Sequence, residues 1–283
     1  MDSKQRVGVI GLGKMGGPIA ARIAAAGYAV SGFDLDREAR EAVSRQGVEI
    51  RSSVREVAEA SDGTIVLVGS EEAAEQICLG DEHGLLVEGK TVIVCSTVTA
   101  ELIHRVADKA KSIGADLIDV PMARGEAAAR SGNLLLLASG ERAAFDRWKH
   151  VLSSFGSDVA YLGAAGAGQI AKTINNYLLW AAIVATHEGL RLAKHHDIEM
   201  DSLIEALLTS SGANYALQTW KMARDMPWAE KDMAITVRSF EQAGVTAPLA
   251  HTVEDTITAL KAGKMAWQGS RTDISMDEYL RGS

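Results

Sequence analysis

From Arg6 to about Leu162 the chain alternates short apolar runs with stretches of helical rhythm. RVGVIGLG, YAVSGFDLD, GTIVLVG, KTVIVCST and ADLIDVP have strand length and are rich in Val and Ile, while GGPIAARIAAAG between the first two has the rhythm of a helix. Apolar runs of this kind, separated by helices, belong to strands covered on both faces, as when helices cross over between parallel strands. The first half is therefore expected to be a doubly wound parallel sheet of the α/β class. After Gly168 the strand signal stops, and QIAKTINNYLLWAAIVATHEGLRLAKHHD holds a helical rhythm for many turns. DSLIEALLTSSG, EKDMAITVRSFEQAG and APLAHTVEDTITALKAG follow as further helices, punctuated by Gly or Pro. The expected division is residues 1–163 and an all-α domain of residues 164–283, joined by one long helix that leaves a cleft between a sheet edge and a helical face.

Composition narrows the class without altering that picture. The 283 residues are 47% hydrophobic and 23% charged, enough for two packed cores. A formal charge of −8 with no basic run lacks the electrostatic footprint of a nucleic-acid binder. No stretch approaches the roughly 18 consecutive apolar residues of a membrane span, so no membrane partner is expected. Cys78 and Cys95 are too few for a disulfide framework, and MDSKQR has no apolar signal core behind it, so the sequence points to the cytoplasm.

The first chemical signal is GVIGLGKMGGPIA. Gly11 permits a tight turn after the first strand, Gly13 lets the backbone approach a pyrophosphate, and Gly16 lets the helix pack on the strand with its N–H groups facing the anion. Three glycines alone mark only a turn. Here a strand precedes them, a helix follows, and a second strand ends at Asp34 about twenty residues on, which is the setting of a Rossmann-type dinucleotide site. Leu12, Lys14 and Met15 complete the loop. Asp34 would accept hydrogen bonds from the adenosine ribose and repel a 2′-phosphate, which favours NAD. Arg37 close by leaves NADP open, and Asp34 also suits a cap for the helix beginning near Asp36.

Four stretches in order, GLGKMGGPIA, VCSTVTA, GAAGAGQIAKTINN and EKDMAI, resemble the β-hydroxyacid dehydrogenase family, which includes 3-hydroxyisobutyrate dehydrogenases and tartronate semialdehyde reductases. The resemblance covers essentially the whole chain. It implies that Lys172 is the catalytic lysine, that Asn176 contacts substrate, and that Ser96 and Thr97 lie beside the nicotinamide. It also implies that Lys231 closes over the cofactor with Asp232 as its neighbour, that no metal is needed, and that the protein is a homodimer or homotetramer.

Elementary chemistry agrees for the helix. Lys172 and Asn176 stand at i and i+4, so they share one face, with Asn175 near the same stripe. Reduction of an aldehyde creates an alkoxide that must receive a proton, and a positioned ammonium stabilises that charge and then donates. A lysine on a helix is more often solvated. Against that, LLWAAIVA marks the helix as buried, and Gly166, Ala167 and Gly168 leave room for its start to lie against a ligand.

The family's substrate loop commonly reads Asp-x-Pro-Val-Ser-Gly-Gly, where this chain has Asp119, Val120, Pro121, Met122, Ala123, Arg124 and Gly125. The serine hydroxyl is lost and an arginine stands for the first glycine. Arg124 offers a planar fork suited to carboxylate, phosphate or sulfonate, and resembles the variant loop of the sulfolactaldehyde reductases, from which Gly125 departs. A surface pair with Glu126 is the alternative. A small anionic substrate is the expectation.

Other residues invite interpretation. Gly69 and Ser70 replace a proline that relatives place near the nicotinamide ribose. Trp228 matches an aromatic of the substrate pocket, though Trp220 and Trp228 both suit a core. His187, His195, His196 and Asp197 match no metal spacing, and the His pair fits a helix end. Cys95 suits a buried strand end better than a nucleophile. The reading is an NAD(P)-dependent oxidoreductase acting on a small acidic 3-hydroxy compound or its semialdehyde. The rivals are an imine reductase, against which Lys172 counts, and a non-catalytic cofactor-binding sensor.

Overall fold

A computed structural model describes residues 4–80, 84–222 and 226–268; the first three residues of MDSKQR and Asp225, which opens DMPWAEKD, lie outside that range. The chain falls into two compact units, Met1–Lys172 and Thr173–Ser283.

In the first unit strands and helices alternate: β1 (Arg6–Ile10), α1 (Gly16–Ala25), β2 (Ala29–Phe33), α2 (Arg37–Ser44), β3 (Val48–Ile50), α3 (Val54–Ala60), β4 (Gly63–Val66), α4 (Glu71–Leu79), β5 (Thr91–Val94), α5 (Ala100–Ser112) and β6 (Asp116–Asp119). Then come β7 (Met122–Ala123), α6 (Gly125–Ser131), β8 (Leu134–Gly140), α7 (Arg142–Leu152) and β9 (Gly156–Tyr161). The sheet order is β3-β2-β1-β4-β5-β6-β8-β7, with β9 also on β8. β1 to β6 pair in parallel, as expected. β8 runs antiparallel to β6 and β7 and parallel to β9, an edge that the apolar runs did not reveal.

Alternation along each strand divides the core in two. Val7, Val9, Ile65, Ile93 and Ile118 pack with Ile19, Ile23 and Trp148 on one face. Ile10, Val66, Val92, Val94 and Leu117 pack with Val57, Leu102, Ile103 and Val106 on the other. Successive strand residues point to opposite faces, so a run apolar at every position serves both. The strand order reverses between β1 and β4, the topological switch at which such sheets take ligands beyond their carboxyl ends.

The described elements of the second unit are helical. α8 (Ala167–His195) begins in the first unit and continues into the second, followed by α9 (Met200–Leu208), α10 (Tyr215–Gln218), α11 (Ala229–Gln242) and α12 (Pro248–Gln268). Trp180, Ile183, Met233, Val253 and Ile257 form one of its cores, and Leu190, Ile204, Leu217 and Trp220 another.

Candidate active site

The loop after β1 is shaped by crowding at its ends and openness at its middle. A Cβ on Gly11, where φ is 90°, would stand 2.1 Å from Leu67 O, and one on Gly16 would stand 1.9 Å from Gly11 O. Nothing lies within 4 Å of the corresponding position on Gly13, so the backbone there is bare. α1 opens on Met15, which gives no side-chain bond to the first helical N–H groups, and its first turn carries no acid. Gly13 O takes the Gly17 N–H at 3.0 Å and Pro18 has none to offer, so an anion such as a pyrophosphate would be met by the N–H groups ahead of them, and in that form the loop fits a dinucleotide.

Asp34 ties this loop to the end of β2. Its Oδ2 accepts the Leu12 N–H at 2.6 Å and its Oδ1 the Asp36 N–H at 2.8 Å. The cap of α2 is Asp36, which takes the Glu38 N–H at 2.9 Å, so Asp34 is not that helix's cap. Arg37 pairs with Glu41 on the exposed face of α2.

At the next two strand ends Ser96 is buried. Its Oγ accepts the Val68 N–H at 2.8 Å and its carbonyl accepts Gln169 Nε2 at 2.9 Å, while Gln169 Oε1 takes the Val98 N–H at 3.1 Å. Thr97 beside it is half-buried. Ser70 caps α4 through the Ala73 N–H, and Glu71 accepts both the N–H and the hydroxyl of Thr99, the cap of α5. Cys95 is buried and its thiol is pushed up by burial and by the Asp119 charge, which leaves it unreactive; Cys78 is pushed up to about 12 by burial.

The start of α8 is held from elsewhere in the sheet. Asp119, at the end of β6, is 0% exposed; its Oδ1 accepts the Ser139 hydroxyl and the Gly166 N–H, and its Oδ2 accepts the Gln169 N–H. Sequence reasoning passed over Asp119, Ser139 and Gln169, whose partners lie at least 20 positions away. A Cβ on Gly168 would stand 2.3 Å from Leu137 O. This glycine is therefore explained by the chain's own packing rather than by room for a ligand.

Further along α8, Lys172 is half-buried and Asn176 is buried. Asn176 Oδ1 accepts from Asn175 Nδ2 at 3.1 Å, and among the described residues Asn176 Nδ2 finds no acceptor. The expectation of a buried helix holds for one flank only. Ile170, Ile174 and Leu178, four residues apart, are 43%, 49% and 62% exposed, so one flank of α8 is open apolar surface.

The substrate-loop residues diverge. Met122 and Ala123 are buried in β7, whereas Arg124 and Gly125 are exposed with φ of 84° and 74°. Arg124 Nη1 bonds Asn133 O and Ser157 Oγ, each at 3.1 Å, and pairs with Asp158. The surface pair weighed with Glu126 does not form, because Glu126 pairs with Arg130 one helical turn on. In the second unit Trp220 is core, but Trp228 is 40% exposed at the start of α11, which removes the core alternative for it. Lys231 and Asp232 are half-buried in the first turn of α11, and Asp232 Oδ2 accepts Trp180 Nε1 at 3.3 Å. His195 is exposed in the last turn of α8 and His196 just beyond it, where Asp197 turns left-handed and the Ile198 N–H returns to Ala193 O.

Comparison with known proteins bears on the whole chain. Residues 6–163 match the family described as the NAD binding domain of 6-phosphogluconate dehydrogenase. Residues 166–274 match the NAD-binding family of NADP-dependent 3-hydroxyisobutyrate dehydrogenase. A Pseudomonas aeruginosa 3-hydroxyisobutyrate dehydrogenase is 35% identical over 225 residues, 78% of this chain and 74% of that one. An NAD-dependent L-serine dehydrogenase of the same organism is 30% identical over 227 residues, 79% of this chain and 74% of the other. The solved structure of Mycobacterium tuberculosis 3-hydroxyisobutyrate dehydrogenase with L-serine has the same fold, with a TM-score of 0.85 at 24% identity over 99% of both chains.

Proposed function

This chain belongs to the β-hydroxyacid dehydrogenase family of NAD(P)-dependent oxidoreductases acting on CH–OH groups, and from that premise we propose a division of labour among its residues. Lys172 is the general acid when the carbonyl is reduced and the general base in the reverse direction. The bound nicotinamide supplies the hydride. Lys172 stabilises the alkoxide formed and then gives it a proton, a role worth about 10²–10⁴-fold in rate. The observation that carries this reading is Asn176, one turn along α8, whose buried Nδ2 lacks an acceptor among the described residues. Such a donor is costly to leave unmet, and a substrate oxygen would meet it.

Gly11 to Gly16 would hold the pyrophosphate through backbone N–H groups, Ser96 and Thr97 would contact the nicotinamide, and Lys231 would be a further cofactor residue. Asp34, fixed by the Leu12 and Asp36 N–H groups, keeps a negative charge near the adenosine ribose and favours NAD. Asn175, Trp228 and Asp232 complete the substrate contacts. The substrate is a small 3-hydroxy acid whose head group is a carboxylate. Arg124 supports that choice over sulfonate, because its guanidinium is already neutralised by Asp158 and a head group would have to displace that pair. The enzyme works in the cytoplasm as a homo-oligomer, for which exposed apolar residues such as Leu178, Leu192 and Leu249 offer surface.

The test is NADH oxidation by the wild type and Lys172→Ala against short aldehydes that share one skeleton and end in carboxylate, phosphate or sulfonate. Expected are a preference for carboxylate and a loss in Lys172→Ala of at least about 100-fold in kcat. Sulfonate preference would return the head group to Arg124, and near-normal turnover in Lys172→Ala would remove the proton-donor role.

A further inference from the structure

We propose that Asp119 is a positioning residue, gripping the first turn of α8 from β6 and so fixing where Lys172 stands. The inference rests on the reading of Lys172 as proton donor.

A helix start leaves its first N–H groups unpaired, and the usual remedy is a polar side chain immediately ahead of it. Ahead of α8 stand Leu162, Gly163, Ala164, Ala165 and Gly166, none with a polar side chain. The caps come instead from distant strands. Asp119 takes the Gly166 N–H at 2.9 Å and the Gln169 N–H at 3.2 Å, and Ser139 Oγ, itself donating to Asp119, takes the Gly168 N–H at 2.8 Å. Burial pushes the Asp119 carboxyl up, while the Ser139 hydroxyl and the Gly166 and Gln169 N–H groups hold it down. A fully buried carboxylate is tolerated only when its lone pairs are met in this way.

The grip is close as well as polar. At Gly168 a Cβ would lie 2.3 Å from Leu137 O and 2.8 Å from Asp119 Oδ2, so the helix backbone is pressed onto the strand ends. Gln169 adds a second anchor, its amide bridging Ser96 O and the Val98 N–H beyond β5. The first turn of α8 is thus bolted to the ends of β5, β6 and β8. Lys172 follows Gln169 by three residues on a rigid helix, so a slide or rotation of that turn displaces its ammonium by as much. General acid catalysis is sensitive to displacement on this scale, and about 1 Å of misplacement is enough for a 100-fold loss.

The experiment compares the full-length wild type with Asp119→Asn, Ser139→Ala, Lys172→Ala and the double variant Lys172→Ala/Asp119→Asn, measuring kcat, the KM for NADH and melting temperature. Asp119→Asn keeps the shape but loses the charge and one acceptor. It should lower kcat about 100-fold with the KM for NADH within about 2-fold, and add no loss in the Lys172→Ala background. Ser139→Ala, the milder change, should move kcat in the same direction and serves if Asp119→Asn does not fold. Unchanged kcat in the single variants, a parallel rise in the KM for NADH, or losses that multiply in the double variant would overturn the proposal. Normal turnover in Lys172→Ala would overturn the donor reading beneath it, whereas intact Asp119→Asn beside a dead Lys172→Ala would overturn the clamp alone.

Discussion

At position 124 the backbone adopts a conformation that favours glycine, and the sequence supplies arginine. The left-handed region costs a residue with a Cβ about 1–2 kcal/mol, and Arg124 sits there with φ of 84°. Its pair with Asp158 is between exposed groups, where solvent screening leaves little to offset that cost. Arg124→Ala loses the pair without relieving the backbone, whereas Arg124→Gly loses the pair and relieves it. Urea unfolding should therefore find Arg124→Gly more stable than Arg124→Ala by about 1 kcal/mol. Equal stabilities would show that the turn is not strained. The residue also shows what local reading misses: Glu126 is two positions away and was the natural partner, yet Asp158 holds the guanidinium across 34 positions of chain. Asp119 was visible only as the first letter of a loop, because its partners sit on β8 and at the start of α8.

Among elements, α8 shows both the reach and the limit of periodicity. Its helical rhythm is plain in the sequence, but LLWAAIVA does not say which flank meets protein. Ile170, Ile174 and Leu178 remain open, while Thr173, Asn176, Trp180 and Ile183 are buried. His187 belongs to the buried flank, and burial, aided by the Arg191 charge and opposed by Glu188, lowers its pKa below the ordinary 6.5 of histidine. A histidine kept neutral in the fold contributes stability above its unfolded pKa and loses it as pH falls through about 6.5, since the unfolded chain then binds the proton first. The melting temperature should accordingly fall between pH 7.5 and pH 5.5, and less steeply in His187→Gln. An identical slope in the variant would place the pH dependence elsewhere. The strands tell a similar story, for β3 has only three residues and β8, LLLLASG, is apolar in a way that fits helix or strand alike.

At the scale of the molecule, Gly11 to Gly16, Asp34, Ser96 and Thr97, proposed above to hold the cofactor, all lie in the unit that ends at Lys172. NADH at 100 times its Kd should add about 2.7 kcal/mol to the stability of that unit. For a chain of this size that is roughly a 5 °C rise in melting temperature, with a smaller rise from NADPH at the same concentration. An equal or larger shift from NADPH would contradict the role given to Asp34. Sequence alone determined the class of fold, the glycine loop after β1, the long helix and the places of Lys172 and Asn176 along it, because each is a local pattern whose spacing equals a physical period or a tight turn. Only the tertiary structure decided which edge of the sheet turns antiparallel, which acid holds Arg124, and that Asp119, Ser139 and Gln169 cap the helix carrying Lys172. Those contacts join residues from different strands, and no spacing along the chain records where strands come to lie.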